Sequence, residues 1–161
     1  LVEARKSLKA GPNEVVAVFT TQEEVGLRGA KAAAYDISPD VGLALDVTIA
    51  GDAPKGPRLC VELGKGAAIK ILDSSLICTP WVVDKLEALA QEGKIPNQRE
   101  VLTGGGTDGG AINLTRSGVP TGALSIPCRY VHSAAETVSL RDMEATTKLL
   151  IAFLMDKNLL K

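Results

Sequence analysis

Two adjacent glutamates follow an apolar run near the start of the chain. Glu23 and Glu24 come shortly after residues 14–20, whose sequence EVVAVFT predicts a buried strand. On extended backbone, adjacent side chains point in opposite directions, so two neighbouring carboxylates can serve two tasks. One can bind a metal ion while the other acts as a base toward a substrate. The alternative is a solvated pair of acids near a helix start, where the helix dipole favours negative charge.

An isolated aspartate and a lone histidine are the next candidates. Asp46 lies in the otherwise apolar string ALDVT, so its carboxylate must be paired, hydrogen-bonded or metal-bound unless the strand is an exposed edge. His132 is the single histidine of the chain and follows a predicted strand. Imidazole is the commonest metal ligand, although a lone histidine is more often a structural or surface residue. Glu24, Asp46 and His132 together supply the oxygen and nitrogen donors that zinc, cobalt or manganese accepts.

A glycine-rich segment, TGGGTDGG at residues 103–110, leads into a predicted helix. Gly105 and Gly106 let the backbone approach a ligand closely. Thr107 and Asp108 stand near the helix start, where free N–H groups can bind negative charge. The segment lacks the closing Gly-Lys-Ser/Thr of a phosphate-binding P-loop. A plain flexible turn is the alternative.

Helix and strand patterns alternate along the chain and predict where these side chains stand. The predicted strands cover residues 14–20, 41–50, 67–72, 100–102 and 119–126. The predicted helices cover residues 1–10, 28–35, 79–92, 108–117 and 141–158, and residues 51–66 read as a loop. This order predicts an α/β fold, a three-layer α/β/α sandwich with helices on both faces of a mostly parallel, mixed sheet. Ligands of such sheets gather at the carboxyl ends of the strands, where the candidate residues stand.

Composition and charge exclude several functional classes. The chain has 161 residues, of which 45% are apolar and 23% charged, and its formal net charge is -1. This balance leaves no basic surface for nucleic acid or a membrane, and the apolar run at residues 149–155 is too short to span a bilayer. Cys60, Cys78 and Cys128 form no Cys-x-x-Cys pair. We therefore expect a reduced, cytoplasmic setting in which each cysteine is a small buried residue.

Four strings, taken together and in order, resemble one family of enzymes. They are QEEVGLRGA at residues 22–30, ALDV at 44–47, GGTD at 105–108 and RYVHS at 129–133. Their order and separations are similar to those of the tetrahedral, glutamyl-aminopeptidase-like family of dinuclear metallopeptidases, the M42 peptidases. Some members of that family are labelled endoglucanases. The resemblance covers essentially the whole chain.

The resemblance implies a role for each candidate residue. Glu23 matches the general base, and Glu24 matches a ligand of one metal ion. Asp46 matches a ligand of the second ion, and His132 the terminal ligand of the first. The glycine-rich segment matches part of the pocket for the first residue of the peptide. Its candidate substrate-binding residues are Gly105, Gly106, Thr107 and Asp108.

The resemblance also implies that part of the family's site lies elsewhere. The family uses an early histidine and an aspartate that bridges both ions, and we expect both upstream of Leu1. The chain opens on LVEARKSLK, without an initiator methionine or a signal sequence, which predicts that residue 1 is not the natural start. Residues 1–161 would then be the carboxyl-terminal portion of a metallopeptidase catalytic domain, with an aminopeptidase/phosphorylase-like fold incomplete at its N-terminus. The N-terminal portion and the inserted dimerisation domain would be absent.

The implied function is a metal-dependent aminopeptidase that hydrolyses N-terminal residues from peptides. Two divalent ions per site, zinc or cobalt with manganese as a third option, would lie about 3.5–4 Å apart. The implied partners are peptides and further copies of the chain, in a tetrahedral dodecamer built from dimers, with no nucleic acid and no membrane. One alternative is a catalytically inactive fragment or scaffold. A glycosidase is disfavoured, because it needs two carboxyl groups that flank the bond, about 5–9.5 Å apart. Glu23 and Glu24 are adjacent in the sequence, and a metal-bound Glu24 could not act as the acid.

Overall fold

The computed structural model describes residues 11–160, so the helix predicted for residues 1–10 lies outside the described part of the chain. Residues 11–160 contain four α-helices and five β-strands. The helices are α1 (Arg28–Ile37), α2 (Pro80–Glu92), α3 (Gly109–Asn113) and α4 (Leu140–Leu154). The strands are β1 (Gly42–Ile49), β2 (Ala67–Leu72), β3 (Asn97–Val101), β4 (Thr121–Arg129) and β5 (Thr137–Val138). A 3-10 turn covers Glu23–Val25.

The strands form one mixed sheet in the order β1-β4-β2-β3, and β5 pairs with β4. The two long pairings are parallel: β1 with β4, in register from Gly42↔Thr121 to Ile49↔Cys128, and β2 with β3. The two short pairings, β2 with β4 and β4 with β5, are antiparallel. Because β1 and β4 run side by side in the same direction, their carboxyl ends meet at one edge of the sheet.

Helices cover both faces of the sheet, as the α/β pattern predicts. A Cβ added at Gly42 would lie 2.4 Å from Ile112 of α3, and one added at Gly122 would lie 2.6 Å from Val82 of α2. Since Gly42 is in register with Thr121, the residue next to Gly122, the two glycines face opposite sides. The fold is therefore a three-layer α/β/α arrangement, with α1 and α3 on one face and α2 and α4 on the other.

The main hydrophobic core lies between the sheet and the α2–α4 layer. Leu86 of α2, Leu149 and Phe153 of α4, and Ile69 and Leu124 of the sheet are each at most 1% exposed. Fully burying side chains of this kind contributes roughly 1.5–3 kcal/mol each before entropic costs. No helix within residues 11–160 is long and apolar enough to cross a membrane.

The strand predicted for residues 14–20 is absent from the structure. This segment has no regular secondary structure, and its apolar residues Val16, Val18 and Phe19 are 54%, 45% and 84% exposed. An apolar run becomes a strand only when a neighbour accepts and donates its backbone hydrogen bonds. Among residues 11–160 no strand pairs with this segment, and β1 pairs with β4 alone.

Other element boundaries differ by a few residues. β3 begins at Asn97 rather than residue 100, and β4 runs from Thr121 to Arg129 rather than from 119 to 126. α3 ends at Asn113 rather than residue 117, and Arg116, within the span predicted as helix, has a left-handed backbone with φ of 50°. α4 is present but ends at Leu154 rather than at residue 158. The predictions of α1, β1, β2, α2 and the loop at residues 51–66 are confirmed.

One of the three cysteines departs from the prediction. Cys78 and Cys128 are buried, but Cys60 is exposed. Cys60 lies in the loop beside the outer edge of β3, where the amide of Val101 donates to its Sγ at 3.5 Å. Among residues 11–160, β3 is the last strand on this side of the sheet, so no described strand lies beyond the thiol.

Candidate active site

The two adjacent glutamates stand on a tight turn rather than on extended backbone. Gln22 precedes them and Leu27 follows them, both in the left-handed region with φ of 59° and 56°. The amides of Gly26 and Leu27 donate to the Glu23 carbonyl at 3.1 and 2.9 Å, which closes the 3-10 turn. Consecutive side chains of a 3-10 turn lie about 120° apart, so the two carboxylates still diverge. Left-handed non-glycine residues are energetically unfavourable and concentrate at functional sites.

Glu24 meets His132 across the sheet edge. The Nε2 atom of His132 lies 3.0 Å from Oε1 of Glu24, although 108 residues separate them. Both side chains are 71% exposed, so the pair is open to solvent. His132 follows the carboxyl end of β4, and both it and Tyr130 have φ of 62°. The carboxylate of Glu136 accepts from the His132 amide at 2.7 Å and so stabilises this turn.

Asp46 lies half-buried on the face of β1 that carries α3. Its neighbours Leu45 and Val47 are 52% and 36% exposed, which agrees with an edge position for β1 among residues 11–160. Its Oδ1 accepts from the Val47 amide at 2.7 Å. Burial raises the pKa of the Asp46 carboxyl, the negative charges of Asp108 and Glu24 raise it further, and the Lys70 ammonium lowers it.

Glu23 is partly buried in the same region. Burial raises the pKa of its carboxyl, and the negative charges of Asp46, Glu24 and Asp108 add to the increase, while His132 opposes it. The carboxylates of Glu24, Asp46 and Asp108 and the imidazole of His132 are therefore close enough to Glu23 to affect its charge. A concentration of like charges favours the protonated form of a carboxyl group unless a cation compensates it.

The glycine-rich segment connects to this neighbourhood through Asp108. The Thr20 hydroxyl donates to Oδ2 of Asp108 at 2.5 Å, which links the end of the 14–20 segment to the start of α3. Oδ1 of Asp108 is buried and has no hydrogen-bond partner within residues 11–160. Gly105 and Gly106 are exposed, whereas Thr107 is 3% exposed with its hydroxyl 3.5 Å from Asp73.

Several N–H groups at the start of α3 already donate hydrogen bonds within the described residues. The amide of Gly110 donates to Thr107 O at 3.0 Å, and those of Ala111 and Ile112 donate to Asp108 O at 3.1 Å. α3 is only five residues long, so these bonds use most of its amide groups. An anion would therefore have to compete with internal hydrogen bonds at this position.

The donor atoms fit a divalent metal in type. Glu24 and His132 place a carboxylate oxygen and an imidazole nitrogen side by side, as first-row metals prefer. Within residues 11–160, however, no group of three His, Cys, Asp or Glu side chains is spaced to hold a metal ion. The described residues thus supply suitable ligands but not a closed ligand set.

A buried polar network next to the site was not recognised in the sequence. Lys70 of β2 is 1% exposed and forms ion pairs with Glu100 of β3 and with Asp73. The Thr48 hydroxyl donates to Oε1 of the same Glu100 at 2.6 Å. The signal was present, because Lys70 is an isolated cation in the apolar string AAIKIL, just as Asp46 is an isolated acid in ALDVT.

Comparisons with known proteins agree on one family. The profile of the M42 glutamyl aminopeptidase family matches residues 1–149. A protein of Acetivibrio thermocellus with the provisional name of an aminopeptidase is 52% identical over 151 residues, which are 94% of this chain and 46% of that protein. The chain thus spans less than half the length of that curated relative.

Solved structures show the same similarity. The TET aminopeptidase of a marine sediment Thaumarchaeota archaeon matches with a TM-score of 0.90 and 38% identity, over 95% of this chain and 44% of that one. The TET1 peptidase of Pyrococcus horikoshii, described as assembling into a tetrahedron or a large octahedral shell, matches with a TM-score of 0.73 and 37% identity. That match covers 86% of this chain and 40% of the other.

Proposed function

Because the chain belongs to the M42 glutamyl aminopeptidase family, we propose that its residues act in a metal-dependent aminopeptidase that removes N-terminal residues from peptides. The observation that carries this proposal is the contact of 3.0 Å between His132 and Glu24, next to the partly buried Glu23. The pKa values of Glu23 and Asp46 support it, because burial raises both and neighbouring carboxylates raise them further, and a bound cation would stabilise carboxylates in such an environment.

In this proposal three residues hold metal and one moves protons. Glu24, Asp46 and His132 would hold two divalent ions, zinc or cobalt with manganese as a third option, together with a histidine and an aspartate that the family resemblance implies outside these residues. When bound, such ions supply Lewis acidity, which lowers the pKa of water and polarises a carbonyl group. The Glu23 carboxylate accepts a proton from the attacking water and then delivers it to the leaving amine.

The glycine-rich loop is proposed to receive the substrate. Gly105 and Gly106 expose backbone that an extended peptide could approach, and Asp108 adds a carboxylate near Glu23. Thr107 would contribute through its backbone, since its hydroxyl faces Asp73. These four residues are proposed to line the pocket for the first residue of the peptide.

A homo-oligomer in the cytoplasm is proposed for the whole protein. The relative from Pyrococcus horikoshii is described as forming a tetrahedron or an octahedral shell, and a tetrahedral dodecamer built from dimers is our expectation here. The three cysteines are free thiols, which accords with a reducing compartment.

The test measures hydrolysis of a matched set of substrates by the protein as the cell makes it. The protein is supplied in turn with zinc, cobalt and manganese. We expect release of the first residue from a peptide with a free amino terminus, no release from its N-acetylated counterpart, and loss of activity with a chelator. Cleavage of β-glucan in place of peptide would identify the glycosidase alternative. Metal binding without any hydrolysis would identify the scaffold alternative.

A further inference from the structure

A buried cation connects the two segments to which the proposed function assigns metal binding and substrate binding. Lys70 lies on the face of β2 opposite the hydrophobic core, because its neighbour Ile69 is in register with Leu124 and both are core residues. Its ammonium group contacts Oε1 of Glu100 and lies 3.5 Å from Oδ2 of Asp73. All three side chains are essentially inaccessible to solvent.

Through Glu100, the Lys70 network contacts β1. The carboxylate oxygen that contacts Lys70 also accepts from the Thr48 hydroxyl at 2.6 Å. Thr48 is 3% exposed and stands two residues beyond Asp46, on the same face of the strand. The pair of Lys70 and Glu100 therefore anchors the part of β1 that carries Asp46.

Through Asp73, the Lys70 network contacts the glycine-rich loop. Oδ1 of Asp73 accepts from the amide and the hydroxyl of Ser75, both at 2.8 Å, and from the Leu76 amide at 2.8 Å. The Ser75 hydroxyl in turn lies 3.4 Å from the Thr107 amide, and the Ser74 amide donates to the Gly105 carbonyl at 3.1 Å. Asp73 thus holds Ser75, and Ser75 together with its neighbour Ser74 contacts the backbone of the loop.

Two buried polar atoms in or beside this network have no hydrogen-bond partner among residues 11–160. They are Oε2 of Glu100 and Oγ of Ser125, which is in register with Asp46. Buried polar atoms without a partner are uncommon in folded proteins, so these two call for an explanation beyond ordinary packing. A buried ion pair is itself weak as a stabilising device, because desolvation offsets most of its attraction.

We propose that Lys70 is a positioning residue of the active site, whose ammonium group holds β1 at Asp46 and the loop at Gly105–Thr107 in one fixed arrangement through Glu100 and Asp73. The inference rests on the proposed function, which places a metal ligand on the first segment and the substrate pocket on the second. Lys70 acts through these neighbours and does not touch the substrate.

The decisive variants are Thr48→Val and Thr146→Val in the protein as the cell makes it. Both remove a buried hydroxyl without changing the shape of the side chain. Thr146 is 5% exposed and donates to Asp142 O at 2.9 Å within α4, in the opposite layer. Each variant is assayed for kcat, KM, zinc affinity of the metal-free protein by calorimetry, and the melting temperature.

We expect Thr48→Val to lower kcat by about 10- to 100-fold, as a small misplacement of a catalytic group does, with KM nearly unchanged. Its zinc affinity should fall by about 10- to 100-fold, the usual effect of removing support behind a ligand. Thr146→Val should lower the melting temperature to a similar extent but leave kcat and the zinc affinity unchanged. Equal kcat and equal zinc affinity in the two variants would overturn the proposal.

Replacing Lys70 tests the contacts through Glu100 and those through Asp73 in a single variant. Lys70→Met should speed amide hydrogen exchange at residues 44–48 and 103–108 while α2 and α4 keep their protection, and Lys70→Arg should restore protection in part. Acceleration that spreads evenly over the core would mean a purely structural role and refute the inference. If Lys70→Met does not fold, Thr48→Val decides. An inactive wild-type protein would count against the proposed function alone, since exchange and zinc affinity are measured without turnover.

Discussion

At the scale of single residues, Glu23 and Glu24 are neighbours with different surroundings. Glu24 is 71% exposed and contacts His132, whereas Glu23 is partly buried with a pKa raised first by burial and then by nearby carboxylates. A base for proton transfer works best when its pKa approaches the working pH. A carboxylate that stands beside an imidazole can share a metal ion with it. The surroundings therefore support Glu23 as the base and Glu24 as the ligand.

Replacing Glu23 by glutamine tests this division of labour. The amide keeps the shape of the side chain but cannot accept a proton, so we expect kcat to fall by about 10²–10⁴-fold with metal content unchanged. Elemental analysis and peptide hydrolysis by the same preparation measure the two effects. Glu24→Gln is the matched control and should lose metal. If Glu23→Gln loses its ions instead, the two roles are exchanged.

The cysteines allow a second prediction at this scale. Burial raises the pKa of the Cys78 thiol to about 11, and Cys60 is exposed. Only the thiolate reacts with iodoacetamide, so at pH 8, three units below the pKa, about one Cys78 thiol in a thousand is reactive. We expect peptide mapping to find rapid labelling at Cys60, slow labelling at Cys78, and a rate at Cys78 that rises as the pH approaches 11. Rapid labelling of Cys78 in a Cys60→Ser variant at pH 8 would contradict this.

At the scale of elements, the glutamate turn depends on a close backbone approach at the start of α1. The Gly29 amide donates to Thr21 O at 2.9 Å, and a Cβ at Gly29 would lie 2.6 Å from both the N and the O atoms of Thr21. Backbone atoms cannot move aside as a flexible side chain can. A side chain at position 29 must therefore displace the segment that carries Glu23 and Glu24.

Gly29→Ala is expected to disturb stability and activity together. Forcing a methyl group into a filled space costs about 1–3 kcal/mol, and the shift of the turn should lower kcat well beyond the loss of folded protein. Chemical denaturation and peptide hydrolysis provide the two measurements. Gly104→Ala is the control for stability, because its added Cβ would meet nothing within 4 Å. If both variants unfold at the same denaturant concentration as the wild type, the close approach is not limiting.

At the scale of the whole molecule, large apolar residues are exposed along one edge of the sheet. Phe19 is 84% exposed and Leu45 52% exposed, on the 14–20 segment and on β1. Both line a groove of about 1070 Å³ between this segment, α1, β1 and α4. An apolar edge strand without a neighbour invites pairing with another chain.

We therefore expect residues 1–161, expressed alone, to self-associate or unfold with poor cooperativity. Sedimentation velocity and the fluorescence of a hydrophobic dye measure both effects. Phe19→Asp should reduce association and dye binding, whereas Ile77→Asp, at a 77% exposed position outside the groove lining, should change neither. A monodisperse, cooperatively unfolding monomer would refute the expectation, and the chain would then be an independent domain with a covered edge.

The sequence by itself determined the features that depend on neighbouring residues. The helix and strand patterns predicted α2, β1 and β2, and isolated charges such as Asp46 and Lys70 marked polar positions in otherwise apolar strands. The resemblance implied that Glu24 and His132 share a metal ion, but only the tertiary structure decided which strands lie side by side, and therefore that Lys70 meets Glu100. Residues 14–20 show the reason most clearly, since an apolar pattern reports a preference for burial while a strand also needs a partner for its backbone hydrogen bonds. That partner is chosen by long-range packing, which no local pattern encodes.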